Sequence, residues 1–567
     1  MILLTNYSIL KKLLPVLLVL LSGCELMKEK VDLVIVNAKV YTVDDSFSEA
    51  QAFAVQDGKF IAVGTTDEIR DVYTSDQLID ADGRAITPGL IDAHCHFYGL
   101  GLTQQIVDLV GTTSFEEVLE RVRAFHTTNP KSFVRGRGWD QNDWEIKEFP
   151  TKAQLDTIFP DIPVALERVD GHAYLVNQKA LDMAGIDWST KVEGGEIVKL
   201  WKNGFSGITG ILVDNPMTLI DSIMPLPSLE DNIKALKDAE RISLNHGLTT
   251  VNDAGLSRST IELIDSLQQA GELSIRVYAM VSNNKEDVDY FINKGPIKTD
   301  GLNVRSIKVY GDGALGSRGA ALKEEYSDLP GHFGAMITPV EDIEALAEKL
   351  ALSEYQMNTH AIGDSANIAV LRAYKKVLQG KSDRRWKIEH AQVLTEGDFD
   401  YFEDGIIPSV QPTHATSDMY WAEDRLGERV KGAYAYKILL NKAGTIALGT
   451  DFPVENVSPF LTFYAAVARM DTSGYPKGGF QMDEALSREE ALKGMTIWAA
   501  YSNFEEDEKG SIEAGKFADF VIYDKDMMTV PVEEISTIRA EQTFIKLYAS
   551  KKKPRSMTEA FLIYMNC

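Results

Sequence analysis

Eight strand-like runs recur between Ile86 and Asp451, several followed by a helix-like stretch, and this alternation constrains the fold more than any other feature. The runs are Ile86 to His96, Leu248 to Ala254, Ile275 to Val281, Val304 to Tyr310, Gln356 to His360, Trp386 to His390, Ile406 to Gln411 and Thr445 to Asp451. Helical patterning follows in segments such as Val340 to Leu352 and Ser365 to Leu378. The expected class is α/β, a (β/α)8 TIM-like barrel, whose functional groups gather at the C-terminal strand ends.

Two flanking regions read as β structure. Short apolar strands fill Val31 to Ala85, with a hairpin turn at Gln56-Asp57-Gly58-Lys59, and a similar signal returns at Ala518-Asp519-Phe520-Val521-Ile522-Tyr523. We expect a small β-sandwich domain built from both chain ends, residues 24–85 and 501–548, around a barrel over 86–500. Residues 97–245 form a long insertion after the first barrel strand, which places it on the catalytic face as a lid or substrate wall. The tail, 549–567, has no assigned structure.

The N-terminus reads as a lipoprotein signal peptide over 1–23. Lys11 and Lys12 precede an apolar run, Leu13 to Leu21, too short for a comfortable membrane span. Leu21-Ser22-Gly23-Cys24 resembles a lipobox, so Cys24 is expected to carry lipid and hold an exported protein at the cell envelope. With only Cys24, Cys95 and Cys567 present, no disulfide framework is expected. A formal net charge of −26 argues against a nucleic-acid partner, because phosphate binding needs a basic surface. Membrane contact is expected through lipid alone, and a homo-oligomer is left open.

Histidines mark the ends of several predicted strands. In Asp92-Ala93-His94-Cys95-His96, strand alternation puts His94 and His96 on one face and Cys95 on the other, a pair able to grip a divalent metal. His360 and His390 each close a strand, and Ala447 and Gly449 share the face of Asp451, where small residues leave room for a cluster. The Asp451 carboxylate at that position can bind metal and accept a proton from water. Lys308 alternates with Ile307 and Val309, so it faces into the barrel. A buried lysine there either forms an ion pair or reacts with carbon dioxide to give a carbamate, an anionic metal ligand. Candidate substrate contacts are Trp139 and His172 in the insertion, Asp312 and Arg318 in the Gly-rich stretch after Lys308, and His414 near the seventh strand. Arg318 could equally pair with a loop acid.

Taken in order, Ile86-Thr87-Pro88-Gly89-Leu90-Ile91-Asp92-Ala93-His94-Cys95-His96, Arg137-Gly138-Trp139-Asp140, Asp170-Gly171-His172, Lys308-Val309-Tyr310-Gly311-Asp312-Gly313, Thr359-His360-Ala361-Ile362-Gly363-Asp364, Glu389-His390-Ala391-Gln392 and Gly449-Thr450-Asp451 resemble the amidohydrolase superfamily. The likeness spans about Val31 to Ile538, in the long-insert branch (family 3) that includes N-substituted formamide deformylases. The resemblance implies one or two divalent ions, expected to be zinc, with His94 and His96 on one, His360 and His390 on the second, a carboxylated Lys308 between them and Asp451 on the first. It further implies hydrolysis of a linear amide-type C–N bond, in an N-acyl or N-formyl amine, by metal-activated water with Asp451 as general base. Deaminase or cyclic-amidase chemistry is the enzymatic alternative, and many deaminases of the superfamily carry a Glu where this chain has Gly363. A non-catalytic, metal- or solute-binding envelope lipoprotein is the other. The C-terminal end departs from the family pattern, which puts the last strand in doubt.

Overall fold

The computed structural model describes residues 28–202, 205–380 and 382–545. The signal segment, Cys24, the tail and Cys567 lie outside the described residues. Eight parallel strands run in sequential order: Leu90–Cys95, Leu248–Leu256, Arg276–Ser282, Leu302–Tyr310, Gln356–Ala361, Lys387–His390, Ile407–Val410 and Ala447–Leu448. The sheet curls until its ends meet, where Asp451 N donates to His94 O at 2.8 Å. Residues alternate across each strand, so Ile307 and Val309 pack outward into the main apolar core while Lys308 points inward.

The first predicted strand divides in two. Ala85–Pro88 pairs with Phe520–Tyr523 and Lys39–Tyr41 in the small β domain, and only Leu90–Cys95 enters the barrel. Gly89 makes the turn between them, since a Cβ there would lie 2.2 Å from Thr249 Oγ1. The β domain packs a five-stranded sheet on a four-stranded one, burying Leu33, Ile35, Phe53, Ile86, Phe520 and Phe544 between them. Ala540–Phe544 supplies the closing strand that the sequence left in doubt, and its Phe544 stacks on Phe520 at 4.2 Å.

The insertion is shorter than the expected 97–245. Leu229–Asn245 is an outer helix of the barrel itself: a capping box at Ser228 and Asp231 starts it, and Leu236 and Ala239 bury its apolar face in the barrel core. Ahead of it, a six-stranded sheet of its own, with Val164–Arg168 and Ala173–Val176 at its centre, holds a separate apolar core and brings its loops over the barrel mouth.

Candidate metal centre and substrate cavity

The strand ends converge on Asp451. Its Oδ1 lies 3.2 Å from His96 Nε2 and 3.6 Å from His94 Nε2, and its Oδ2 lies 3.6 Å from His414 Nε2. His94, His96 and Asp451 present ligand atoms within 4.8 Å of one another, and so do His390, His414 and Asp451. Asp451 Oδ1 is buried and makes no hydrogen bond, although imidazoles surround it. Burial alone would raise its carboxyl, yet His96, His94 and His390 hold it well below the usual carboxylate range. Burial keeps the His360 and His390 imidazoles well below their usual range, hence neutral, the state in which a ring nitrogen can bind metal. An orphaned carboxylate oxygen within reach of several imidazoles is the donor set a divalent ion requires.

Three buried groups brace these candidate ligands from behind. Glu389 Oε2 bonds His94 Nδ1 at 2.6 Å, so Nε2 is the nitrogen left to face Asp451. Asp92 accepts from Thr450 Oγ1 (2.7 Å), Thr450 N (3.0 Å) and His94 N (3.2 Å), locking the first strand to the loop that carries Asp451. Likewise Gln411 Oε1 meets His390 Nδ1 at 2.7 Å. None of these three was singled out from the sequence for that role. The available signal was position: Glu389 adjoins His390, and Asp92 lies two residues before His94.

Lys308 is buried, with Nζ 3.2 Å from His94 Nε2. Burial lowers its amine to about 8. Among the described residues no carboxylate lies within ion-pair distance of it, and Asp312, the acid nearest in sequence, is engaged elsewhere. Cys95 faces away, its Sγ donating to Asn252 O.

The expected substrate contacts divide. His172 lines the cavity, its ring 5.2 Å from that of His360, and its Nδ1 is 2.6 Å from Asp214 Oδ1. His414 lines it too. Trp139 does not: it is fully buried in the insertion's core, where its indole donates to Leu166 O at 2.8 Å. Asp312 is likewise internal, accepting the N–H groups of Ala321, Ile362 and Gly363 at 2.8–2.9 Å. Arg318 pairs with the loop acid Asp328 at 2.7 Å, away from the cavity. Each was read from proximity in sequence to a motif, whereas the chain turns these side chains back into its own loops. Ala447 pairs in register with Ser409, which itself pairs with the inward-facing Glu389, and a Cβ on Gly449 would lie 2.4 Å from His94 N, so small residues here leave room beside the cluster. Strand alternation ends at Leu448, and the backbone turns through a left-handed φ of 64° at Asp451.

The Gly-rich stretch after Lys308 has a steric purpose. A Cβ at Gly313 or at Gly319 would come within 2.4 Å of Asp214 Oδ2, so both glycines make room for the carboxylate that holds His172. Gly363 is equally constrained, since a Cβ there would lie 2.0 Å from Ala321 O.

Comparison with known proteins agrees with this geometry. The model of the amidohydrolase family matches residues 77–546. The chain is 32% identical to Protein LONG AFTER FAR-RED 3 of Arabidopsis thaliana over 516 residues, 87% of each chain. It is 29% identical to the N-substituted formamide deformylase of Arthrobacter pascens over 553 residues, 92% of this chain and 98% of that one. An uncharacterized metal-dependent hydrolase from Pyrococcus horikoshii superposes with a TM-score of 0.70 at 27% identity, covering 89% of this chain and 99% of that one. The chain therefore belongs to the amidohydrolase family, in the branch that includes the N-substituted formamide deformylase.

Proposed function

We propose that the protein hydrolyses a linear amide-type C–N bond in an N-acyl or N-formyl amine, with Asp451 as the base. One observation carries this reading: the buried Asp451 Oδ1, without a hydrogen bond, within 3.2–3.6 Å of two imidazoles at the cavity floor. His94, His96 and Asp451 would hold one divalent ion, zinc in our reading, and His360, His390 and a carboxylated Lys308 would complete a two-ion set. An ion held there acidifies water and polarises the scissile carbonyl.

The chain's own groups supply the proton movements. Asp451 is ionised by its setting, takes a proton from the attacking water and returns it to the leaving nitrogen. Glu389 keeps His94 Nε2 turned toward Asp451. His172, fixed by Asp214, meets the substrate from the insertion, whose loops limit access of bulk water. Gly363 favours amide hydrolysis over deamination, because the clash with Ala321 O leaves no place for a Glu side chain. We further place the protein at the cell envelope on lipid at Cys24, on the strength of the N-terminal sequence. Among the described residues no helix is long and apolar enough to cross a membrane.

The test is hydrolysis of a panel of N-formyl and N-acyl amines by purified protein, before and after metal is stripped and zinc restored. Release of amine that vanishes on stripping and returns with zinc is the expected result. Turnover indifferent to metal, or deamination of heterocycles with no amide cleavage, would overturn the proposal.

A further inference from the structure

Below the metal centre the barrel interior is polar where a (β/α)8 barrel is ordinarily filled with branched apolar side chains. Asn358, Lys387, Glu389 and Ser409, on the fifth to seventh strands, are fully buried. Their strand neighbours Met357, Ile388 and Val410 pack in the outer core, so alternation turns these four inward. Register groups them. Asn358 lies between Lys308 and Lys387 on the two adjacent strands, and Glu389 pairs with Ser409 two residues nearer the barrel mouth.

Both amide atoms of Asn358, the Ser409 hydroxyl and Glu389 Oε1 are buried and make no hydrogen bond with the described residues. Buried polar groups are almost always satisfied, by ordered water where protein atoms cannot reach. The floor beneath them is satisfied by the chain itself. Lys387 Nζ donates to Asn503 Oδ1 at 2.8 Å, Gln356 Nε2 to Ser502 O at 3.0 Å and Asn252 Nδ2 to Asn503 Oδ1 at 3.0 Å. The orphaned atoms thus form a layer between that floor and the ligand His94, and they include donors as well as acceptors. A cation in this layer would meet the ammoniums of Lys308 and Lys387, and an anion would meet Glu389 Oε1. Water meets neither penalty, since it donates and accepts. Ser409 and its register partner Ala447 are small and leave it room.

We propose that this layer is a binding site for a cluster of ordered water molecules, enclosed beneath the metal centre and bridging the Asn358 amide, the Ser409 hydroxyl and Glu389 Oε1. Glu389 Oε2 holds His94 Nδ1 at 2.6 Å, so water on Oε1 fixes the carboxylate that orients this imidazole. Asn358 and Ser409 are then positioning residues that act through water and Glu389. The water site stands on the orphaned atoms alone, and its effect on His94 rests on the metal-centre reading above.

The test uses zinc-loaded protein. A high-resolution crystal structure should show ordered solvent within hydrogen-bond distance of both Asn358 amide atoms and of Glu389 Oε1, and a layer without solvent density would overturn the site. Asn358→Leu keeps the volume and removes the amide. If water is bound, the variant strips that water of its partners, so the denaturation midpoint should fall by about 2 °C or more and zinc loss to a chelator should quicken severalfold. An amide with no partner at all would instead be a penalty relieved by leucine, so a midpoint equal to or above that of the wild type would overturn the proposal. Should Asn358→Leu not fold, Ser409→Ala carries the same test of sign. Zinc loss at the wild-type rate despite a lowered midpoint would overturn the positioning role. Failure of the wild type to retain zinc, with solvent density present, would overturn the metal-centre reading and leave the water site standing.

Discussion

Single residues decide the chemistry here, and Lys308 is the most informative. Its buried amine faces three imidazoles and, among the described residues, has no carboxylate in ion-pair reach, an arrangement that repels a dication if the amine stays protonated. Carboxylation reverses the sign: the neutral amine adds to carbon dioxide, loses one proton and presents two oxygens that share one negative charge. Lys308→Ala should therefore lose bound metal, read by plasma mass spectrometry, and small carboxylic acids in solution should restore part of the metal and the activity. Lys308→Arg should show no such rescue, because it keeps the positive charge and fills the space. Asp451→Asn keeps the size but removes the basicity, so kcat should fall by roughly 10²–10⁴-fold. Near-normal turnover would remove Asp451 from the proton path. The pairing of His94 with His96 was legible because strand alternation places both on one face within three residues. Glu389 was not: its partner His94 lies 295 positions away, and only the barrel's closure joins them.

At the scale of elements, the strand order was legible and the loops were not. A buried parallel strand advertises itself as a short apolar run, and all eight runs became barrel strands, although Ile86–Pro88 went to the β domain. Loops fold on contacts between distant segments, so Asp312 and Arg318 could not be placed from their neighbours. The Gly-rich loop illustrates this. In the sequence the stretch offered only Asp312 and Arg318 as candidate contacts, whereas in space its glycines form the wall against which Asp214, from the insertion, is seated. Gly313→Ala drives a methyl to 2.4 Å from that carboxylate, so Asp214 must shift and release its 2.6 Å contact with His172. We expect activity to fall at least tenfold and metal content to fall less, since His360, a proposed ligand, meets the Gly313 carbonyl at 3.5 Å while the added methyl is driven against Asp214. Unchanged turnover would mean that the Asp214–His172 pair has no part in catalysis.

At the scale of the whole molecule two attachments can be tested, the proposed lipid anchor at Cys24 and a contact within the chain. If Cys24 carries lipid, Cys24→Ala should move the protein from the membrane fraction to the soluble one or leave it unprocessed. Unaltered fractionation would overturn the anchor. The internal attachment joins the β domain to the barrel. Arg276, at the start of the third barrel strand, meets Asp519, beside the strand Phe520–Tyr523, with Nε to Oδ2 at 2.6 Å and Nη2 to Oδ1 at 3.0 Å. The two side chains are 1% and 4% exposed, and the guanidinium also lies 4.0 Å from the Phe517 ring and donates to Asp300 O. Two aligned bonds between buried ions offset much of the desolvation, but removing one ion strands the other. Asp519→Ala should cost about 3–5 kcal/mol, read as a lower denaturation midpoint. Replacing both partners with apolar residues should cost clearly less, because no buried charge is then left uncompensated. If instead the single and double variants melt together, the pair does not couple the two domains, and the apolar seam around Gly89 and Leu248 must hold them.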